Sequence, residues 1–218
     1  LFKKRPACFL FSTKNFTFVG KSLQIMRSIL LLILFFITFV HTPSAQETPK
    51  REFRGAWIQT VYQPQYTEMD SVQMCAYFDA MLDTLQQTGI NALLFQIRPE
   101  ADAFYRSEME PWSRFLTGAQ GRAPENGWDP MAALIEKCHR RNIEFHAWIN
   151  PYRAQCNTAV ALDSSHIYYR HPEWFVEYGR QLLFDPGMPG SKAFICRVVD
   201  DIVSRYDIDA IHMDDYFY

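Results

Sequence analysis

Four apolar runs divide this chain of 218 residues, and a group of polar residues follows each of them. The runs cover residues 53–60, 90–97, 143–149 and 208–213. An unbroken apolar run is typical of a strand in a parallel sheet, because both faces of such a sheet are covered by other parts of the protein. Stretches with helical periodicity separate the runs, and the resulting order β-α-β-α-β-α-β predicts an α/β fold with right-handed crossovers.

The lengths of the connections indicate which parallel fold is formed. The segments 98–128 and 150–185, after the second and third runs, are long, whereas the turns at the opposite ends are short. We expect the first segment to be a loop, and the second a loop with one short helical turn and one brief extended piece. Long connections on one side favour a TIM (β/α)8 barrel over a doubly wound open sheet. No GxGxxG follows the first run, which excludes the commonest nucleotide-binding form of the open sheet.

Three amphipathic helices are predicted between the four runs. The first has Asp70 or Ser71 as its N-cap, the second begins at Asp129, and the third follows Ser191. A complete barrel needs roughly 250 residues, so we expect only its first four strands and three helices here.

The first 45 residues differ in composition from the rest. They carry six Lys or Arg and no acidic residue, and a short apolar stretch at 28–40 precedes small residues at 42–45. This pattern predicts a signal peptide that starts at Met26 and is cleaved near Ala45, with upstream sequence before it. A membrane anchor is the alternative, but the stretch is shorter than the ~20 residues that span a bilayer. We expect export to the periplasm or beyond, no stable membrane anchor after cleavage, and half of a barrel domain over 46–218.

Charge and cysteine content narrow the possible partners. Without the leader, 16 Lys and Arg stand against 24 Asp and Glu, a formal charge of −8. A nucleic-acid partner is not expected, because such proteins carry a basic surface. None of the five cysteines has the spacing of a metal site, so we predict no metal and no cofactor.

Two adjacent carboxylates follow the fourth run, and they are the strongest candidates for chemistry. Neighbouring residues of a strand point to opposite faces, so Asp214 shares a face with His212 while Asp215 lies on the other. We predict that Asp214 faces the barrel mouth and that Asp215 supports it; the alternative is that one of them caps a turn. Glycoside cleavage needs a pair of carboxyl groups, one as nucleophile or base and one as acid.

Further polar residues at the strand ends are predicted to bind the substrate. An ion pair is an equally good explanation for the acidic ones, and a satisfied core residue for a histidine within a strand. The candidates are Arg98, Glu100, Asp102, His146, Asn150, Tyr152, Arg153, His212 and Tyr216. Aromatic residues could supply flat faces for sugar rings, though each is more often a packing residue; they include Trp57, Trp112, Trp128, Tyr152, Trp174 and residues 216–218.

Four motifs in this order resemble the glycosyl hydrolase-like 10 family. They are RGAW at 54–57, QIRP at 96–99 with PWS at 111–113, HAWINPYR at 146–153 and DAIHMDDYFY at 209–218. In the last motif the family usually has Gly in place of Ala210 and Phe in place of Met213. The resemblance covers about residues 52–218.

The resemblance implies a (β/α)8 barrel, export and action on glycans, and some relatives are linked to cleavage of peptidoglycan strands. It also implies that Asp214 is the nucleophile or base, with the partner acid on a later strand. The sequence therefore predicts an exported glycoside hydrolase acting on a polysaccharide or cell-wall glycan. Two alternatives stay open: a glycan-binding barrel without catalysis, and a metal-dependent hydrolase that uses His146, His212, Asp214 and Asp215.

Overall fold

The computed structural model describes residues 24, 26–31 and 52–214, in two units, Leu1–Glu52 and Phe53–Tyr218. In the first unit, residue 24 and residues 26–31 are helical. The predicted cleavage site at Ala45 lies outside the described residues, as do Asp215 and Tyr216. None of the helices in the described part has both the length and the apolar character needed to cross a membrane.

The second unit alternates strands and helices along the chain. Its first half contains β1 (Gly55–Ile58), α1 (Gln65–Glu68), α2 (Ser71–Gln87), β2 (Ala92–Arg98), α3 (Arg114–Thr117), a 3-10 turn (Glu125–Gly127) and α4 (Pro130–His139). Its second half contains β3 (Glu144–Ile149), β4 (Arg153–Gln155), two 3-10 turns (Ile167–Tyr169 and Pro172–Trp174), β5 (Phe175–Tyr178), β6 (Gln181–Phe184), α5 (Pro189–Arg205) and β7 (Ala210–Met213).

Four strands form a parallel sheet in the order β1-β2-β3-β7. Each strand pairs with the next strand of the barrel order, and a helix lies between each pair along the chain. This is the arrangement of the first four strands and three long helices of a (β/α)8 barrel, so the predicted fold class is confirmed.

Local sequence signals fix where the long helices begin. Asp70 caps α2, because its carboxylate accepts the Gln73 backbone N–H while the Gln73 side chain accepts the N–H of Asp70. Asp129 caps α4 through its own carboxylate, which accepts the N–H of Ala132, with Pro130 in the first turn. Helix α5 begins two residues before the predicted Ser191, at Pro189.

The two faces of the parallel sheet have different neighbours. On the outer face, Leu93, Phe95 and Phe145 pack into the apolar core beneath the helices, and the Phe95 ring lies 5.9 Å from the ring of Phe78 in α2. Because successive side chains of a strand point to opposite faces, Trp57 lies on the inner face of the sheet. The outer face therefore packs into the apolar core, whereas the inner face carries polar and aromatic groups.

The long connections hold more regular structure than the sequence predicts. The segment 98–128 contains α3, and the segment 150–185 contains an antiparallel sheet of order β4-β6-β5. This small sheet is stabilised by apolar contacts, since the rings of Phe175 and Phe184 lie 4.4 Å apart. Elements of three or four residues are too short to show a periodic pattern, which explains why the helix and most of the small sheet were not predicted.

The first strand is shorter than the predicted apolar run. It ends at Ile58, because the backbone N–H groups of Thr60 and Val61 donate to the side chain of Gln96 rather than to a neighbouring strand.

Candidate functional site

Side-chain amides connect the four strand ends at the carboxyl edge of the sheet. The Gln96 Oε1 atom accepts the N–H groups of Thr60 and Val61, at 2.8 and 3.3 Å. Gln96 Nε2 donates to Asn150 Oδ1 at 2.6 Å, and Asn150 Nδ2 donates to the backbone carbonyl of Asp214 at 2.6 Å. Gln96 and Asn150 are fully buried. We call these two side chains and their partners the amide chain.

Asp214 lies where the sequence predicts a catalytic carboxylate, just beyond β7. Its backbone N–H donates to Ile149 at 3.3 Å, and its carbonyl accepts from Asn150, so its main chain is held from β3. The residue is half-buried. The structure therefore brings Asp214 and Asn150 together at this edge; their chemical roles stay predictions.

Two histidines lie on the same face of the sheet as Asp214. Burial lowers the pKa of His212; the Asp214 carboxylate opposes this shift and His146 adds to it. These effects show that the three groups are close enough to interact electrostatically. His146 lies 3.1 Å from the carboxylate of Glu144 and stacks against Phe53 at 5.5 Å. The lowered pKa of His212 favours its neutral imidazole form, next to the Asp214 carboxylate.

An aromatic group lies on the inner face next to these histidines. The Trp57 ring is 4.7 Å from the Trp148 ring and 4.3 Å from the His212 ring, and Trp57 is 49% exposed. The indole N–H of Trp148 is buried without a hydrogen-bond partner among the described residues. An exposed indole face can stack on a sugar ring, and the unpaired N–H can donate to a ligand hydroxyl.

Arg98 lies beneath the edge rather than at its surface. Its guanidinium is fully buried and forms a bidentate ion pair with Glu110, with distances of 2.6–3.0 Å. The Nη1 atom donates to the carbonyl groups of Asn150 and Pro151, at 2.7 and 3.2 Å. Because its donors are used within the protein, this position favours a positioning role over the predicted contact with substrate.

The acidic residues after β2 are also buried in polar contacts. Glu100 pairs with Arg114 at 2.7 Å and accepts the backbone N–H of Cys156. Asp102 accepts the N–H of Glu100 and the side-chain amide of Gln120, at 3.1 and 3.2 Å. These geometries match the alternative explanation of local ion pairs and hydrogen bonds, and they join the segment 98–128 to the segment 150–185.

Burial changes the protonation of two groups in this region. The pKa of Asp102 is raised to about 7, because burial disfavours the carboxylate and the charge of Glu100 adds to the effect. The pKa of His166 is lowered to about 4, again mainly by burial. His166 was not a sequence candidate, since it lies within a predicted loop.

The remaining candidates are spread around the third strand end. Tyr152 and Arg153 are half-buried, and Arg153 begins β4. The carbonyl of Tyr152 accepts the N–H of Phe184 at 2.7 Å, which ties this strand end to the small antiparallel sheet. No group of three or more His, Cys, Asp or Glu side chains in the described part of the chain is arranged to hold a metal ion.

Two site residues were missed by sequence reasoning. Gln96 and Trp148 lie inside apolar runs, where the sequence pattern indicates buried packing residues rather than site residues. The signal that could have found Gln96 is its polarity: a glutamine within a fully buried strand must have hydrogen-bond partners.

The order of the strands and helices defines an α/β protein of the (β/α)8 barrel type, with polar side chains at its carboxyl edge. Residues 52–218 match the family model described as Glycosyl hydrolase-like 10, and the chain belongs to that family. The resemblance read from the four motifs is thereby confirmed.

Curated relatives carry the same description. The chain is 42% identical over 202 residues to glycosyl hydrolase YngK of Bacillus subtilis, a match that covers 89% of this chain and 39% of that protein. It is 32% identical over 197 residues to glycosyl hydrolase DigH of Escherichia coli, covering 81% of this chain and 44% of that protein. The chain thus spans about two fifths of the length of the curated relatives it matches.

A solved structure, the noncanonic maltogenic alpha-amylase AmyB of Thermotoga neapolitana, is similar with a TM-score of 0.49 and 13% identity. That match covers 75% of this chain and 39% of the amylase. A similarity of this size bears on neither substrate nor mechanism.

The buried ion pair gives a first prediction. Glu110→Gln leaves the Arg98 guanidinium buried without its counter-charge, so the free energy of unfolding of the whole encoded protein should fall by about 3–5 kcal/mol. Glu136→Gln is the control, since Glu136 pairs with Arg140 on an exposed helix face and should cost at most about 1 kcal/mol. Urea unfolding measures both, and equal small losses would show that the buried pair does not stabilise the edge.

Asp102 gives a prediction about pH. Its pKa is higher in the folded protein than in the unfolded chain, where it is about 3.9. The folded state therefore binds more protons between about pH 4 and the folded pKa of about 7, and Asp102 makes the protein less stable as the pH rises through that range. Asp102→Asn should remove this loss, so its stability relative to wild type should increase from about pH 4 to about pH 7.

Urea unfolding at several pH values tests this expectation. Asp200→Asn is the control for the substitution itself, because Asp200 is exposed on helix α5. A difference between Asp102→Asn and wild type that stays constant over the range would contradict the raised pKa.

Proposed function

We propose that this protein is an exported glycoside hydrolase that cleaves O-glycosyl bonds in a polysaccharide or cell-wall glycan. One observation carries the proposal: the Asp214 carboxylate follows the last described strand at the carboxyl edge, which is where barrel enzymes hold their chemistry. Membership of the glycosyl hydrolase-like family supports it.

In the proposed mechanism Asp214 is the nucleophile or base. A carboxylate in this role attacks the sugar carbon or removes a proton from water, while a second carboxyl group protonates the leaving oxygen. Asp215 follows Asp214 along the chain and is proposed to support it. We propose that the second acid is a different residue, which also lies outside the described residues. The pairing of one ionised and one protonated carboxyl group then provides the acid and the base.

The inner face offers groups for holding the sugar. Trp57 presents a half-exposed indole beside His212, and stacking of a sugar ring on it would place the scissile bond near Asp214. The neutral imidazole of His212 can donate one hydrogen bond to a hydroxyl group without competing for the charge of Asp214. Asn150 and Arg98 position the edge instead of touching the sugar.

Export brings cell-wall glycans within reach, and peptidoglycan strands are our first choice of substrate. This part of the proposal rests on the signal-peptide pattern and on the resemblance to the family.

Two rival functions use the same edge. A glycan-binding barrel without catalysis is favoured by the presence of a single carboxylate, Asp214, beside the Trp57–His212 pair among the described residues. A metal-dependent hydrolase would use His146 and His212 with the two aspartates, but no group that includes His146, His212 and Asp214 is arranged to hold a metal ion in the described part of the chain. Loss of activity in excess chelator would favour it.

Replacement of Asp214 tests the catalytic proposal. Asp214→Asn in the whole encoded protein should lower the release of reducing ends from a responsive glycan by at least about 10²-fold, because the amide can neither attack nor accept the proton. The thermal unfolding midpoint should stay close to wild type, since the hydrogen bonds that Asp214 makes to other described residues come from its backbone.

Asp207→Asn is the matched control, because Asp207 is 96% exposed just before the same strand and should leave the rate unchanged. Undiminished turnover of Asp214→Asn would end the assignment, and glycan binding without turnover in wild type would favour the binding function.

Export is tested at the N-terminus. The protein recovered from the periplasm or medium of the producing cells should begin near Gln46, which Edman sequencing or intact mass measures. Replacement of Leu32 and Ile33 by Arg interrupts the apolar stretch and should leave the uncleaved protein inside the cell. Recovery of uncleaved wild-type protein from the membrane fraction would favour an anchor.

A further inference from the structure

We propose that Gln96 and Asn150 are positioning residues that fix Asp214 through the amide chain, an inference that rests on the proposed role of Asp214. Neither side chain has to touch the substrate in this proposal. Together they add side-chain hydrogen bonds to the backbone bonds where the four strands end, and so hold the Asp214 main chain in one place.

The amide chain begins where regular strand pairing stops. The last β1–β2 partners are Ile58 and Phe95, and beyond them the backbone of Thr60 bonds to the Gln96 side chain. The last β3–β7 partners are Ile149 and Met213. Beyond these partners, the Asn150 side chain donates to the backbone carbonyl of Asp214, the first residue after β7. Amide side chains thus continue the hydrogen bonding beyond the last β1–β2 partners and beyond the last β3–β7 partners.

The direction of each hydrogen bond in the amide chain is fixed by the backbone groups at the two ends of the amide chain. A backbone N–H can only donate, so Gln96 must present its oxygen to Thr60 and its NH2 group to Asn150. A backbone carbonyl can only accept, so Asn150 must present its NH2 group to Asp214. The two amides therefore satisfy each other in one orientation only. A flip of Gln96 would break its bonds to Thr60, Val61 and Asn150, and a flip of Asn150 would break its bonds to Gln96 and Asp214.

Burial makes this arrangement stiff. Gln96 is 1% exposed and Asn150 is not exposed at all, so water cannot replace a lost partner and each bond is stronger than at the surface. The Arg98 guanidinium holds the main chain of Asn150 by donating to its carbonyl at 2.7 Å. The donor to Asp214 is thus fixed through both its side chain and its backbone.

The main chain of Asp214 depends strongly on this donor. Its N–H bond to Ile149 is long, at 3.3 Å, whereas the Asn150 bond to its carbonyl is 2.6 Å. A displacement of about 1 Å at a reacting group can cost 10²-fold in rate. Loss of the amide chain should therefore lower kcat while leaving the sugar-binding surface, and with it KM, nearly unchanged.

Gln96→Met tests the inference, because methionine keeps the length of the side chain and removes both ends of its amide. In the whole encoded protein we expect kcat to fall at least about 10-fold with KM within about threefold of wild type. Gln155→Met is the matched control: Gln155 is also a buried glutamine, and its amide donates to the Val160 carbonyl, which is not part of the amide chain. The control should lose stability and keep kcat.

Gln96→Glu supplies a readout that a merely structural role would not change. A buried glutamic acid is favoured in its neutral form, in which its O–H can donate to Asn150 and its C=O can accept from Thr60. This variant should therefore regain kcat relative to Gln96→Met at low pH and lose it as the pH rises. The ratio of the two kcat values should change at least about threefold over the measured range.

Hydrogen exchange of the peptide that contains Asp214 gives a test that needs no activity. Faster exchange in Gln96→Met than in Gln155→Met, in proteins of matched stability, is the expected result. If wild type has no glycosidase activity, the proposed function fails while the exchange result still decides the positioning role. Equal exchange in the two variants, or a Gln96→Met enzyme with wild-type kcat, would overturn the inference.

Discussion

The buried Arg98 guanidinium is the interaction on which the carboxyl edge depends. A charge without exposure to water costs several kcal/mol unless its donors are used, and here a bidentate carboxylate and two carbonyl groups use them. The carboxylate comes from the segment 98–128 and the carbonyls come from the end of β3. One side chain therefore joins a long connection, its own strand and the neighbouring strand, and the position of Asn150 follows from it.

The sheet divides two tasks between its faces. The outer face packs Leu93 and Phe95 against the helices and supplies apolar burial. The inner face carries Trp57, His212 and Gln96, which form aromatic contacts and side-chain hydrogen bonds there. Because strand alternation separates the two sets, substitutions on the inner face can change chemistry without disturbing the core.

Sequence reasoning succeeded where the controlling signal is local. The capping box at Asp70, the Asp129–Pro130 helix start and the order of strands and helices all depend on residues a few positions apart. It placed Asp214 beside Asn150 because parallel strands end at one edge. It did not identify Glu110 as the partner of Arg98, since twelve residues separate them along an irregular chain and only the folded loop brings them together.

The same limit applies to the residues predicted to bind substrate. A strand end shows which side chains reach the edge, but it does not show which of them turn inward beneath it. Glu100 and Asp102 turn inward because Arg114, Cys156 and Gln120 offer partners there, and each partner comes from a segment predicted as a loop. Polarity at a strand end is therefore a good guide to the location of a site and a weaker guide to which residues contact the ligand.

Asp102 and His166 are buried titratable groups with opposite effects on how the stability of the folded state depends on pH. Asp102, with a pKa raised to about 7, weakens the folded state as the pH rises from about 4. His166, with a pKa lowered to about 4, is neutral when folded while the unfolded chain binds a proton below about pH 6.5, so it strengthens the folded state as the pH rises over that range. The two effects have opposite signs between about pH 4 and about pH 6.5. The stability of the folded state therefore changes less with pH over this range than it would with either group alone.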